Sequence, residues 1–188
     1  MSIYNTAADA ANTAVRAFLT EIGEYYLGRS FNTGSGKSKN DWIKIRDMVF
    51  GGRCAYCGKN GVKLQMDHLI MFNRNEFGLH HPGNIVPACA TCNSRSKKDE
   101  KEYNTWEEHL SFICTKNNQK DKFHDRWTKI KNHIASKEYQ YPDFSDEEKK
   151  TIQIIATNLY SSIKNEFQAA IKLYEELDKA FTKSKKGK

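Results

Sequence analysis

Two C-x-x-C pairs, Cys54/Cys57 in RCAYCG and Cys89/Cys92 in PACATCN, are separated by 31 intervening residues and constrain this chain more than any other feature in it. Two such knuckles supply four thiolates in a tetrahedral shell, which is how structural zinc is held. A closed shell of four cysteines has no open position for water or substrate. The metal it predicts braces the fold and takes no part in a reaction. For so small a segment the brace matters, because metal binding contributes directly to folding. The spacing does not resemble a secreted disulfide scaffold, and five cysteines are an odd number. The fifth, Cys114 in HLSFICTK, reads as a small buried hydrophobe.

Around this centre the chain divides into three stretches by pattern. Residues 1–40 comprise a helix over 3–27, with Ile3, Ala7, Ala11, Ala14, Phe18, Ile22 and Tyr25 at steps of three and four, and a loop at 28–40. The GSGKS in that loop is not a P-loop: the first glycine of the motif would fall at Phe31, and no apolar strand precedes it. Residues 41–100 hold the cysteine pairs, glycine turns and short β-prone runs, VKLQM (62–66) and IVPA (85–88), with a short helix expected over about 90–99. Residues 101–188 are helical. Asn104 with Glu107, or Thr105 with Glu108, can form a capping box ahead of Leu110 and Ile113. Phe123, Trp127, Ile130 and Ile134 mark a second helix face, and Ser145 with Glu148 starts a last, long helix. Its apolar residues, Ile152, Ile155, Leu159, Ile163, Phe167, Ala170, Tyr174, Leu177 and Phe181, recur almost as a heptad. Such a helix packs on the N-terminal one or pairs with a homodimer mate or partner subunit; both remain open.

Between the knuckles lies LQMDHLIMFN. Asp67 and His68 end a β-prone run, Asn84 opens the next strand sixteen residues after His68, and Asn93 follows nine residues later, directly after Cys92. Together, C-x-x-C, D-H, N-I-V and C-x-x-C-N resemble the HNH endonucleases of the ββα-metal superfamily, over roughly residues 50–100. The resemblance implies an α+β fold: a small ββα-metal nuclease core with structural zinc, embedded in mainly α-helical flanks. It also implies roles. Asp67 and Asn93 would ligate a catalytic divalent cation, His68 would be the general base, and Asn84 would hold the loop that orients it. Oxygen ligands suit Mg²⁺ or Mn²⁺. An ordinary histidine pKa near ~6.5 leaves His68 largely neutral and proton-accepting. In the family the last motif residue is often histidine, followed three residues on by lysine. Here Asn93 and Ser96 stand at those positions, so Arg95 and Lys97 compete for the phosphate-neutralising role. His80 and His81 form a rival pair that could touch DNA or replace His68 as base, but with no motif role they read first as a plain surface loop; Trp42, Trp106 and Trp127 read as core rather than base-stacking residues.

Thirty Lys+Arg against 23 Asp+Glu give a net charge of +7, which suits a polyanion partner, but the excess is spread along the chain. The sequence starts without a basic, apolar leader, and its apolar runs fall far short of the ~20 residues of a membrane span, so a cytoplasmic protein is expected. The expectation is a metal-dependent endonuclease acting on double-stranded DNA, of restriction or phage-defence type; the family resemblance implies a 5′ phosphate and a 3′ hydroxyl as products. The rival class is a non-catalytic zinc-braced adaptor for nucleic acid or protein.

Overall fold

The computed structural model describes residues 6–31, 34–99 and 102–186. Expectations for Ile3, and for the end of the basic KSKKGK tail, fall outside the described residues. Among the described residues five α-helices and one hairpin form: α1 (Ala7–Leu27), α2 (Gly36–Ile43), β1 (Leu64–His68), β2 (Ile85–Cys89), α3 (Trp106–Lys116), α4 (Phe123–Ile134) and α5 (Asp146–Lys186). The class is α+β.

The chain forms two compact units. One comprises residues 1–18 and 144–188, and its buried apolar residues are Ala11, Val15, Ile152 and Ala156. The Ser145/Glu148 capping box starts α5: Ser145 N–H donates to Glu148 Oε2 at 2.8 Å, and Glu148 N–H to Ser145 Oγ at 3.2 Å. At 41 residues the helix is roughly 60 Å long. Apolar burial within the unit reaches as far as Ala156, and most of the helix beyond Ile163 is exposed.

The other unit, residues 19–143, carries the cysteine pairs. β1 and β2 pair antiparallel from Leu64↔Cys89 to His68↔Ile85. Every residue of β2 is buried, whereas β1 hides one face more than the other. Phe31, Ile45, Phe50, Tyr56, Val86, Leu110 and Ile130 form the core around the hairpin. Trp106 is buried in that core, with Trp42 and Trp127 packed against it, so all three tryptophans do structural duty. Cys114 is likewise buried.

Two segments differ from expectation. Residues 28–40 are not all loop: α2 begins at Gly36, because Ser38 and Asp41 bury on Arg29 and so anchor a short polar helix that periodicity alone cannot reveal. Arg29 Nη2 meets Asp41 Oδ2 at 2.6 Å. Residues 90–99 are not helical. They run through turns into an antiparallel bridge, Lys97↔Tyr103, and the next helix waits until Trp106. The side chains of NSRS divert the backbone from a helix, as Ser, Asn and Asp do. Ser96 N–H donates to His109 Nδ1, and Ser96 Oγ accepts from Asn104 Nδ2 at 2.7 Å. Thr105 with Glu108, rather than Asn104 with Glu107, forms the capping box of α3.

Candidate metal centre and active site

The first knuckle is a tight turn in which Gly58 N–H donates to Cys54 C=O at 2.9 Å, with Gly58 at φ 73°. That left-handed conformation favours glycine. The second knuckle repeats the pattern, with the N–H groups of Cys92 and Asn93 both donating to Cys89 C=O at 2.9 Å. The knuckles meet because Cys89 ends β2, while Ala55 N–H donates to the carbonyl of Pro87 in the same strand at 2.7 Å. The four sulfurs lie within 4.8 Å of one another, and Cys57 Sγ is 3.8 Å from Cys89 Sγ. A tetrahedron with Zn–S bonds of ~2.3 Å has edges of about 3.8 Å, so the donor set fits zinc. The hydrogen bond from Cys92 holds the Cys54 thiol down to about 4, and the same bond, followed by burial, pushes Cys92 up. The cluster thus favours at least one thiolate, the form that binds metal.

Helices α3 and α4 secure this irregular backbone with buried and half-buried polar side chains. Arg126 of α4 donates to the carbonyls of Tyr56 (2.9 Å) and Cys57 (3.1 Å). His109 of α3 has Nε2 2.9 Å from the carbonyl of Cys92. His133 of α4 places Nε2 3.0 Å from both Pro82 and Ile85 carbonyls. Buried carbonyls outside a ladder need such donors.

Alternation along β1 separates its functional side chains. Gln65 and Asp67 share one face, and Leu64, Met66 and His68 the other. Asp67 is nearly buried. Its Oδ2 accepts from Tyr56 Oη at 2.6 Å and from Arg95 Nη2 at 3.1 Å. Burial pushes the Asp67 carboxyl up, and the Arg95 guanidinium and the Tyr56 hydroxyl oppose that rise. Arg95 also donates to the His68 carbonyl at 2.8 Å, and its side chain is only 4% exposed. Of the two cations weighed from sequence, Arg95 is therefore drawn inward to Asp67, while Lys97 lies over the Tyr103 ring. Asn93 reaches the same face of β1: its Nδ2 donates to Gln65 Oε1 at 3.0 Å, leaving the amide oxygen available as a ligand atom.

His68, on the opposite face, stacks on Phe72 with ring centroids 4.8 Å apart, and its Nε2 lies 3.1 Å from His80 Nδ1. Its pKa is not ordinary. Burial first, then His80 and Arg95, push it down to about 3, so the ring is neutral but a weaker base than expected from sequence. His80 and His81 are not a plain surface loop either. His80 joins His68, and His81 is 2% exposed, its Nδ1 accepting from Gly83 N–H. Tyr56 and Arg126 carried no sequence signal of a role, apart from Tyr56 lying inside the first knuckle, whereas His80, weighed as a rival base, does stand beside His68.

Asn84 fastens the chain where it leaves β1. Leu69 N–H donates to its backbone carbonyl at 2.8 Å and Ile70 N–H to its Oδ1 at 2.8 Å; its Nδ2 donates to the carbonyls of Ile70 and Leu79, both at 2.9 Å. Gly78 lets the intervening loop fold back, since a Cβ there would collide with the Ile70 carbonyl.

A two-stranded hairpin clamped by a four-cysteine cluster that fits zinc, with Asp-His at the end of one strand and an asparagine turned in after the last cysteine, defines a small α+β module. Residues 54–99 match the family model of the HNH endonucleases, so the chain carries an HNH endonuclease domain over about a quarter of its length. That domain belongs to a nuclease family. Comparison with curated proteins and with solved structures returns no match. No helix among the described residues is long and apolar enough to cross a membrane.

Proposed function

We infer that the protein is a metal-dependent endonuclease that hydrolyses phosphodiester bonds in DNA. The observation carrying this reading is that closing the second cysteine pair turns Asn93 onto the face of β1 that presents Asp67, one residue from His68. Asp67 and Asn93 would hold a hard cation such as Mg²⁺ or Mn²⁺, which when bound stabilises charge on the scissile phosphate and the departing 3′ oxygen. His68 takes the proton of the attacking water as the new P–O bond forms and the bond to O3′ breaks. Stacking on Phe72 and the contact with His80 fix its ring plane for that transfer. Asn84 positions the loop after His68 and takes no proton. Cys54, Cys57, Cys89 and Cys92 hold zinc as a brace. A restriction or phage-defence role in the cytoplasm suits a protein of this kind.

Two observations favour a second reading, the non-catalytic zinc-braced adaptor. Arg95 already neutralises Asp67, and His68 is a depressed base. A single comparison separates the two. Supercoiled plasmid is incubated with Mg²⁺ or Mn²⁺ and either wild-type protein or His68→Ala. Nicking or linearisation by the wild type, reduced at least ~100-fold in the variant, is the expected result for a lost general base. Equal conversion by both overturns His68 as the general base, and none by either, on several substrates, favours the adaptor. His68→Ala retains zinc in this scheme, whereas Cys89→Ser loses it and melts at lower temperature. Zinc release from His68→Ala would show that brace and active site are not separate.

A further inference from the structure

The exposed part of α5 is a stripe without a cover. Phe167, Ile171, Leu173, Tyr174, Leu177 and Phe181 are all exposed, Tyr174 at 68% and Phe181 at 62%. They lie on a helix that is otherwise polar, and the seam Ile163, Phe167, Ala170, Tyr174, Leu177, Phe181 alternates steps of four and three without a break. That spacing is the a/d seam of a two-stranded coiled coil.

We propose that this seam pairs with α5 of a second copy of the chain, antiparallel and centred level with Lys172. In that register each bulky residue meets a different one. Ile163 faces Phe181 of the second copy, Phe167 faces Leu177, and the small Ala170 receives the large Tyr174. Large-against-small layers of this kind fill space without voids. Leu173 meets its own counterpart at the flank. On the other flank Lys164 falls beside Asp178 of the second copy, and the two-fold axis repeats the pair. Neither residue has an ion-pair partner among the described residues. Opposite charges at such flanking positions set partner and orientation.

The parallel arrangement is worse on each count. It would set Phe167, Tyr174 and Phe181 each against itself, leave Ala170 facing Ala170 across a gap, and give Lys164 and Asp178 only leucines opposite. Area also suits a self-pair. Three aromatics per copy, at roughly 150–250 Å² each, with the leucines and isoleucines beside them, put on the order of 1,000 Å² of surface between two copies. That approaches the ~1,200 Å² at which specific interfaces begin to be stable. The proposal goes beyond the nuclease reading and does not depend on it. If both hold, each assembly contains two HNH sites and so has one for each DNA strand.

The test is sedimentation equilibrium on the full chain at tens of micromolar. The expected mass is twice the 21.7 kDa of the monomer. Leu177→Glu, an exposed position whose change leaves the fold intact, should return it to monomer. Lys164→Glu alone and Asp178→Lys alone should each raise the dissociation constant at least ~10-fold by creating two like-charge contacts, and the double variant should restore it. A wild-type monomer overturns the proposal and leaves the stripe to a different protein. A dimer indifferent to Leu177→Glu overturns it too, as does failure of the charge swap to rescue. None of these measurements reads cleavage, so their outcome stays distinct from that of the plasmid assay.

Discussion

Asn84 is 2% exposed and satisfies one donor and two acceptors of the chain around it with its amide alone. A buried polar group left unpaired costs ~1–3 kcal/mol, and Asn84→Asp would put a carboxylate against two carbonyls while removing their donor. The variant should lose roughly 2–4 kcal/mol of stability, read as a lower denaturation midpoint, while keeping its zinc. Unchanged stability would mean that the loop after β1 is held by something else. The position of Asn84 was readable before any coordinates, because resemblance to a motif named it; its four bonds were not. The same holds for Asp67 and His68. Their places on opposite faces of a strand follow from adjacency and pleat. The burial that depresses His68, and the Tyr56 hydroxyl on Asp67, come from packing between residues distant in sequence. No local pattern encodes them.

Elements were legible in proportion to how much local pattern specified them. The capping-box helices α3 and α5 and the periodic face of α4 start where their residues say, and β1 and β2 fall within two residues of the expected runs. The segment after Cys92 failed this test. Ser96 bonds through Oγ to His109 of α3 and to Asn104, and Lys97 bridges to Tyr103, so tertiary partners decided against a helix. An analogous long-range contact ties α4 to the metal knuckle. Arg126 lies about 70 residues from Tyr56 and Cys57 in sequence, yet donates to both their carbonyls. Arg126→Met keeps the side chain's apolar stem and removes the donors. The expected cost is about 2–4 kcal/mol, from two buried carbonyls left unpaired. Zinc should also leave faster to a chelator, since the turn that presents Cys54 and Cys57 loses its backing. A variant with normal zinc retention would show that the sulfur–metal bonds alone hold the turn.

At the scale of the whole molecule, acid should loosen the unit that carries the site before it reaches the carboxylates. His81 is buried where the chain enters β2; its Nδ1 accepts from Gly83 N–H, and the Tyr141 ring stands edge-on to it. Burial first, then the charges of Arg29 and His80, push it down to about 4. The unfolded chain, with an ordinary histidine near ~6.5, binds that proton at a higher pH. Between these values the unfolded state holds more protons, so stability rises with pH across that window. The contribution is complete above about pH 6.5 and is lost as pH falls toward 4, by up to roughly 3 kcal/mol at ~1.4 kcal/mol per unit. His133, also pushed down by burial, adds to the same slope. His81→Asn offers Gly83 N–H a side-chain oxygen but cannot titrate in this range. Denaturation midpoints of wild type and variant, measured at half-unit steps from pH 7.5 to 4.5, should diverge downward, with the wild type falling more steeply. Parallel curves would mean that His81 takes up its proton without opposing the fold, and that the acid sensitivity of this unit resides in its other histidines.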